Sequence, residues 1–299
     1  MMNSKSGISP SKVFLPPNDL NHQTVLDFLI HQFPAISRDE WISRLNDGLV
    51  FDAEHATLDI SSSYRSNSFI YYFKRVQSEE RIPFKEQIIY QDDHLLIADK
   101  PHFLPVTPGG HYLEETLLVR LKRSTGIDAL SPIHRIDRET AGLVAFSKLS
   151  GDRNAYQALF RNRAVKKVYE AIAPYRDDFG GRFPIHYQSK IEESDIFIQM
   201  HEVSGDPNSE STIDLIEVSG AWAKYQLLLG TGKKHQLRLH MSALGIPIKY
   251  DQIYPNLQPH VVVGKDFTQP LQLLAKELSF IDPITSLEHC FLSQQTLQL

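Results

Sequence analysis

The stretch HRIDRETAGLVAF, residues 134–146, joins two kinds of sequence. It begins with charged and polar residues, and from Ala141 onward it is almost wholly apolar. An apolar run bounded by a polar segment predicts a buried strand entered from a polar loop. In that loop, Arg135 and Arg138 would help to keep Asp137 ionised if they approach it in space. By charge pattern alone, a surface loop with weak ion pairs is the simpler interpretation.

Further strand and helix patterns lie on both sides of this stretch. Strands are predicted at residues 88–90, 94–98, 141–146, 166–173 and 222–229, and helices at residues 150–162 and 236–244. The two kinds of element mix without regular alternation. This favours an α+β fold on a mixed, largely antiparallel sheet over a doubly wound α/β fold.

The first 84 residues have the pattern of a small separate module, and residues 85–299 form the larger domain. One helix is predicted at residues 24–33. A second begins where Ser37 and Glu40 have the spacing of a capping box, and ends at residues 46–48. Short strands are predicted at residues 49–51 and 68–73.

The composition of the 299 residues is that of a globular protein, with 41% hydrophobic and 22% charged residues. No apolar run is long enough to cross a membrane, and the first residues do not lead into a secretory signal. The single cysteine, Cys290, excludes an internal disulfide framework and a cysteine zinc site, which indicates a reducing cytoplasm.

The charge is distributed unevenly. The net charge of −5 is unusual for a protein that binds nucleic acid. Residues 115–170 nevertheless contain 11 Lys and Arg against 6 Asp and Glu, whereas residues 1–60 contain 4 against 8. A basic region of this size is also compatible with an ordinary solvated surface.

A second polar cluster, TGKKHQLR at residues 231–238, follows a predicted strand and opens a predicted helix. The free amides and dipole of a helix N-terminus attract anions. His235 and Arg238 share one helix face, and we expect Leu237 to point to the core and Arg238 to point away from it. The cluster lacks the glycine and Ser/Thr pattern of a phosphate-binding P-loop. His235 and His240 have the wrong spacing for one metal ion, so no metal site is predicted.

Residues 134–143 closely resemble the signature of the RluA-type pseudouridine synthases, usually H-R-L-D-x-x-T-S-G. Residues 89–101 resemble the family's opening strand pair and Lys-Pro turn. Residues 167–171 are similar to its K-x-Y block, and residues 231–240 to its T-G-[RK]-x-H-Q-[IL]-R-x-H block. Four blocks in the family's order are far more specific than one.

The resemblance implies isomerisation of uridine to pseudouridine in structured rRNA or tRNA, without a metal or organic cofactor. Asp137 matches the catalytic aspartate, which starts cleavage of the N-glycosidic bond before the uracil turns and reattaches through carbon 5. The carboxylate could attack the sugar, attack the base or remove a sugar proton, and each route needs it ionised. Tyr169 matches the tyrosine that stacks on the target base, and Arg238 the arginine that pairs with the aspartate. Arg135 matches the arginine that helps to flip the base out.

Further RNA contacts are expected around these residues. The four lysines among the candidates would contact phosphates, which position an RNA without specifying its sequence. The complete set of expected RNA contacts is Arg135, His134, Arg138, Lys166, Lys167, Lys233, Lys234 and His235. No obligatory protein partner is evident, and a monomer is expected.

The N-terminal module resembles a small RNA-binding fold found in a ribosomal small-subunit protein, through Ser37-Arg38 and residues 46–50. Its acidity argues against tight phosphate binding, which draws its strength from Lys and Arg. We interpret it as a degenerate version, with packing or orienting as fitting a role as binding.

The chain departs from the family pattern at several positions. Ala141 replaces the usual serine, and Leu274 stands where the family often has histidine. Residues 246–255 keep the proline, aspartate and tyrosine of the H-P-[IL]-x-G-D-x-x-Y-G block but lack its histidine and glycines. We expect these segments to shape the rim of the pocket, so the departures bear on substrate choice.

Two rival functions remain open on sequence grounds. A hydrolase using Asp137 with His134 would release free uracil. An RNA-binding protein that has lost its activity would bind RNA in a salt-sensitive way without isomerising it.

Overall fold

The computed structural model describes residues 7–8, 10–75, 79–179, 181–196, 198–258 and 267–299. The chain forms two compact units. Met1–Glu79 with Pro108–Glu114 make up the N-terminal unit, and Glu80–Thr107 with Glu115–Leu299 make up the larger unit. The division of roles that the sequence places between residues 84 and 85 stays a prediction.

The N-terminal unit packs two helices against one face of a three-stranded antiparallel sheet in the order β1-β3-β2. Its core includes Leu29, Trp41 and Ile70, all fully buried or nearly so. The elements are β1 (Ser11–Leu15), α1 (Val25–Gln32), α2 (Arg38–Asn46), β2 (Val50–Asp52) and β3 (Ser68–Tyr72).

The two helices of this unit begin differently from the sequence expectation. Ser37 accepts a hydrogen bond from the Glu40 amide at 3.2 Å, but the Glu40 carboxylate pairs with Arg44 at 2.9 Å. The capping box expected there is therefore formed in only one half. The complete capping box lies at the start of α1, between Thr24 and Asp27, where the sequence analysis missed it.

The larger unit is built on one 11-stranded sheet whose main path runs β10-β9-β11-β12-β8-β13-β7-β5-β4, with β6 paired to β7 and β14 to β13. Of the described strand pairs, only β7 with β13 is parallel, so the predicted α+β fold on a largely antiparallel sheet is confirmed. The first elements are β4 (Gln87–Gln91), β5 (Leu95–Lys100), α3 (Leu117–Thr125), β6 (Ser131–Pro132), β7 (Ala141–Ser147) and α4 (Arg153–Arg161). The remainder are β8 (Lys166–Pro174), β9 (Ile185–Glu193), β10 (Met200–Val203), β11 (Ser209–Ser219), β12 (Trp222–Leu229), α5 (Gln236–Ala243), β13 (Leu273–Ile281) and β14 (Glu288–Leu292).

The centre of this sheet brings the distant sequence blocks together. In strand β13, Leu274 is aligned with Ala141 of β7, and the next residue, Ala275, is aligned with Tyr169 of β8. The loop that enters β7 and the middle of β8 are therefore separated by one strand.

Within the described parts of the chain, no helix has the length and apolar composition needed to cross a membrane.

Gly142 lies where β7 meets β13, and it has a φ of +109°. A Cβ at this position would overlap the Ala275 backbone, with the amide nitrogen only 2.7 Å away. We expect Gly142→Ala to destabilise the protein by about 3 kcal/mol, because backbone strain and overpacking add. Thermal unfolding measures the effect. Gly151→Ala is the matched control, since Gly151 has open space around its Cβ position, and equal melting temperatures for the two variants would contradict the prediction.

Candidate active site

Asp137 lies in the loop between β6 and β7, and backbone contacts fix this loop. The Thr140 amide donates to the Asp137 carbonyl at 3.2 Å. The Ala145 amide donates to Nε2 of His134 at 3.1 Å, and the His134 ring stacks on Phe160 at a centroid distance of 4.6 Å. Burial, together with the charge of Lys167, lowers the pKa of His134 to about 3. His134 is therefore uncharged at neutral pH, and it anchors the loop to β7.

Lys100 supports the same loop from inside the protein. Its side chain is fully buried at the end of β5, and its ammonium donates to the carbonyls of Pro101 at 2.9 Å and Arg138 at 3.0 Å. Burial lowers the pKa of Lys100 to about 7, although the charges of Glu139 and Asp137 oppose this shift. The loop is therefore held by a hydrogen bond from an amino group whose pKa is close to neutral pH.

This shift predicts how Lys100 contributes to stability. Between pH 7 and 10.5 the unfolded chain keeps the Lys100 proton while the folded protein loses it. The folded protein is therefore favoured increasingly as the pH rises through this window, and the contribution is constant below it. We expect the melting temperature of the wild type to rise relative to that of Lys100→Met between pH 7 and 10. A constant difference between the two proteins over this range would contradict the lowered pKa.

Arg238 of α5 connects two carboxylates. Its Nε and Nη2 each donate to the Asp251 carboxylate at 2.7 Å, and its Nη1 lies 3.4 Å from Oδ2 of Asp137. The side chains of Arg238 and Asp251 are 1% and 0% exposed, whereas that of Asp137 is 25% exposed. Burial alone would lower the pKa of Arg238, but the hydrogen bonds and charge of Asp251, with the charge of Asp137, raise it. The guanidinium is thus a permanent positive charge beside Asp137.

Two sequence expectations about this region were wrong. Arg238 does not point away from the protein interior, because α5 is buried on nearly all sides and the Asp251 carboxylate compensates the buried charge. Leu274 is fully buried in the centre of the sheet, so its departure from the family pattern does not lie at the rim of the pocket.

Asp251 itself is the residue that the sequence analysis missed as a site component. Its Oδ1 also accepts from the amides of Ile253 at 2.8 Å and Tyr254 at 3.1 Å, so the turn after α5 is built around this carboxylate. The Tyr254 hydroxyl lies 3.1 Å from Nδ1 of His235, the residue before α5. The aspartate and tyrosine kept in residues 246–255 were the available signal.

Tyr169 lies on β8 and is 8% exposed. Burial raises the pKa of its hydroxyl, and the charge of Asp137 raises it further. The phenol therefore keeps its proton at neutral pH. Tyr169 offers an uncharged aromatic ring next to the Asp137 carboxylate.

The expected RNA-contact residues divide into two groups. Arg138 pairs with Glu139 at 2.8 Å, and Lys166 pairs with Glu277 at 2.8 Å. Arg138 is thus turned to Glu139, and the cation that comes close to Asp137 is Arg238. One large cavity next to Asp137 is lined by six of the expected residues, His134, Arg135, Arg138, Lys167, Lys233 and Lys234, whereas Lys166 and His235 are not part of its lining.

This cavity has a volume of about 1000 Å³ and lies entirely in the larger unit. Asp137 and Tyr169 line it, and both also line a smaller adjoining recess together with Arg238 and His235. The structure therefore brings the three expected catalytic residues to one place. Among the residues that the structure describes, no group of three or more His, Cys, Asp or Glu side chains could hold a metal ion.

Comparison with known proteins identifies a family for the chain. The family model for RNA pseudouridylate synthases matches residues 94–243, which contain the Asp137 loop, Tyr169 and Arg238. The chain belongs to this family. It is an RNA pseudouridine synthase, an isomerase of the RluA type.

Curated relatives extend this result. The dual-specificity RNA pseudouridine synthase RluA of Haemophilus influenzae is 30% identical to this pseudouridine synthase. The match covers 66% of the present chain and 88% of the relative. The ribosomal large subunit pseudouridine synthase D of Pseudomonas aeruginosa is 30% identical over 56% of this chain and 53% of the relative. The solved structure of human RNA pseudouridylate synthase domain containing 1 has a TM-score of 0.56 at 20% identity, and the match covers 72% of this chain and 91% of the human one. That likeness supports the shared fold.

Proposed function

We propose that this pseudouridine synthase isomerises a uridine in structured rRNA or tRNA, with Asp137 as the catalytic residue. The supporting observation is the 3.4 Å approach of Arg238 to the Asp137 carboxylate, in a recess that Tyr169 also lines. A charged nucleophile or base, a fixed counter-charge and a flat aromatic ring are the groups that this reaction needs around one nucleoside.

The reaction exchanges one bond to the sugar for another. The bond from uracil N1 to the sugar C1′ breaks, and a bond from uracil C5 to C1′ forms. The C5 proton leaves, and N1 gains a proton, so the product is an isomer and no cofactor is consumed. Asp137 starts the cleavage as an ionised carboxylate, and Arg238 holds it in place. Tyr169 stacks on the uracil while the base turns.

The target uridine must leave its helix to reach Asp137, because the carboxylate lies in a recess. Flipping a base out costs a few kcal/mol of unstacking. Arg135 is exposed at the cavity and would occupy the space that the base leaves. Lys167, Lys233 and Lys234 would contact the phosphates on either side. An RNA contact by His134 would be made by an uncharged ring.

The names of two relatives bear on which class of RNA is the natural substrate. One relative is named for the large ribosomal subunit and another for dual specificity. We propose rRNA or tRNA as the substrate class, and a monomer acting in the cytoplasm without an obligatory protein partner.

Mapping of pseudouridine in cellular rRNA and tRNA tests the substrate. RNA from cells with and without the protein is compared at each uridine. We expect at least one pseudouridine to disappear in the deletion strain and to return when the wild-type protein is restored. If every pseudouridine in both RNA classes survives the deletion, the proposed substrate class is wrong.

The purified protein separates the isomerase from its rivals. Incubation with the mapped RNA should convert the target uridine and leave the uracil attached. Release of free uracil would instead support a hydrolase using Asp137 and His134. Salt-sensitive binding without conversion would support an inactive RNA-binding protein.

The stacking role of Tyr169 leads to a specific expectation. Tyr169→Leu removes the flat ring and should lower the single-turnover rate by about 10- to 100-fold, the size of one lost base stack. Tyr169→Phe keeps the ring and should retain the rate within several-fold. If Tyr169→Phe loses as much activity as Tyr169→Leu, the hydroxyl rather than the ring makes the contribution.

A further inference from the structure

His235 stands immediately before α5 with its backbone in the left-handed region, at a φ of +56°. A residue that carries a Cβ adopts this conformation at a cost, and strained residues of this kind concentrate at functional sites. The side chain of His235 is only 8% exposed, and it lines the same recess as Asp137 and Tyr169. In this conformation the ring faces the recess rather than the solvent.

The two ring nitrogens of His235 have different surroundings. Nδ1 lies 3.1 Å from the Tyr254 hydroxyl, whose oxygen also accepts from the Met200 amide at 2.8 Å. Nε2 lies 3.9 Å from Oδ2 of Asp137, which is longer than a hydrogen bond. One edge of the ring is therefore held by Tyr254, and the other faces the recess.

These surroundings decide where the ring carries its proton. Burial lowers the pKa of His235, although the charge of Asp137 opposes this shift, so the imidazole is neutral at pH 7. A neutral ring has one N–H, and the negative Oδ2 of Asp137 favours it on the nitrogen that faces it, Nε2. Nδ1 then accepts a hydrogen bond from the Tyr254 hydroxyl. The Nε2–H group is thus a donor directed into the recess, and Asp137 is too distant to accept from it.

Uracil carries acceptors that suit this donor. Its two carbonyl oxygens, O2 and O4, lie on opposite sides of N3. Half a revolution about the axis through N3 and C6 exchanges N1 with C5 and, with them, O2 with O4. One fixed N–H donor can therefore bind a carbonyl oxygen before the base turns and again when it reattaches through C5.

We propose that His235 recognises the target uracil, with Nε2–H donating a hydrogen bond to a carbonyl oxygen while Tyr169 stacks on the base. The hydrogen bond holds the base in the recess through one carbonyl before the turn and through the other after it. Tyr254 is a positioning residue, because its hydroxyl keeps Nδ1 in the acceptor role. This recognition rests on the isomerase reaction proposed above and adds to it the group that reads the edge of the flipped base.

A donor at this point also selects the base. A site that hydrogen-bonds one group of its substrate discriminates strongly against an analogue that lacks it, because the buried polar group is then left without a partner. Cytosine has an amino group in place of O4, and an amino group does not accept from Nε2–H. Cytosine therefore cannot satisfy His235 in both orientations.

Two substitutions of His235 separate the donor from the ring. His235→Phe keeps a flat ring without nitrogens, and should lower the single-turnover rate on the mapped RNA by about 10- to 100-fold. His235→Gln carries a side-chain N–H donor, and should recover most of that loss. His201→Phe is the matched control and should keep the wild-type rate, because His201 is an exposed residue of β10 outside the linings of the cavity and the recess. Unchanged melting temperatures establish that each variant is folded.

Sulfur-substituted substrates test the contact itself. 2-Thiouridine or 4-thiouridine is placed at the target position, because sulfur accepts hydrogen bonds more weakly than oxygen does. We expect at least one of them to slow conversion by the wild type and to cause a much smaller further loss in His235→Phe, where the donor is already absent. Such non-additivity indicates a direct contact, which a purely structural role of His235 does not produce.

Two results would overturn this role of His235. One is conversion at the wild-type rate by His235→Phe. The other is an effect of the sulfur atom that is equally large in the wild type and in His235→Phe, since the ring would then act only by packing. Both results leave conversion by the wild type intact. Failure of the isomerase proposal would appear instead as a wild-type protein that forms no pseudouridine in rRNA or tRNA.

Discussion

Asp137→Asn is expected to lower the rate of pseudouridine formation by about 1000-fold or more, because asparagine can neither attack nor accept a proton as a carboxylate does. The substitution keeps the size of the side chain and its place in the loop. Single-turnover conversion of the mapped RNA by purified protein gives the rate directly, free of product release.

Binding distinguishes loss of chemistry from loss of structure. Asp137→Asn should bind the target RNA with an affinity close to that of the wild type and melt at a similar temperature. Asp93→Asn is the matched control, because Asp93 is an exposed carboxylate in the turn between β4 and β5, and its activity should be unchanged. Conversion by Asp137→Asn at the wild-type rate would remove Asp137 from the mechanism.

The largest loss of stability is expected from Asp251→Asn. This change leaves the buried Arg238 guanidinium without the carboxylate that accepts two of its hydrogen bonds. Removing one partner of a buried ion pair typically costs about 3–5 kcal/mol, because the other charge stays buried and uncompensated. Chemical denaturation of the full chain measures the free energy of unfolding.

An exposed ion pair provides the control for this substitution. Arg176 and Asp178 form a similar contact in which both side chains are about half exposed. Pairs of this kind contribute little to stability, so Asp178→Asn should leave the denaturation midpoint almost unchanged. If Asp251→Asn behaves in the same way, the guanidinium is compensated by another group and Asp251 is not its main support.

The sequence predicted the residues that line the recess better than the residue that holds Arg238 in place. Asp137, Tyr169 and Arg238 were singled out because their blocks resemble those of the family, and the three side chains line one recess. Asp251 was missed as the partner of Arg238, because their contact depends on a turn in which Oδ1 of Asp251 also accepts two backbone amides. A contact that exists only once the turn has folded is difficult to predict from the sequence.

The elements that escaped prediction have mixed or overlooked signals. Strand β13 combines an apolar start with Lys276 and Glu277, which suits a helix as well as a strand, and its burial comes from the three strands that pair with it. Helix α3 carried usable signals that were overlooked, since Thr116 caps its start and Gly126 ends it in the left-handed conformation.

The sharing of Arg238 between two carboxylates has a consequence for how the enzyme responds to ionic strength. One guanidinium cannot neutralise both Asp137 and Asp251, so these three side chains together keep a net negative charge. This charge lies next to the cavity where RNA, a polyanion, must bind. The electrostatic attraction of the RNA must then come from the lysines and arginines around the opening of the cavity. Dissolved salt screens this attraction beyond about 10 Å. Capture of the substrate is thereby sensitive to salt, while the shielded Arg238–Asp251 pair behind Asp137 is not.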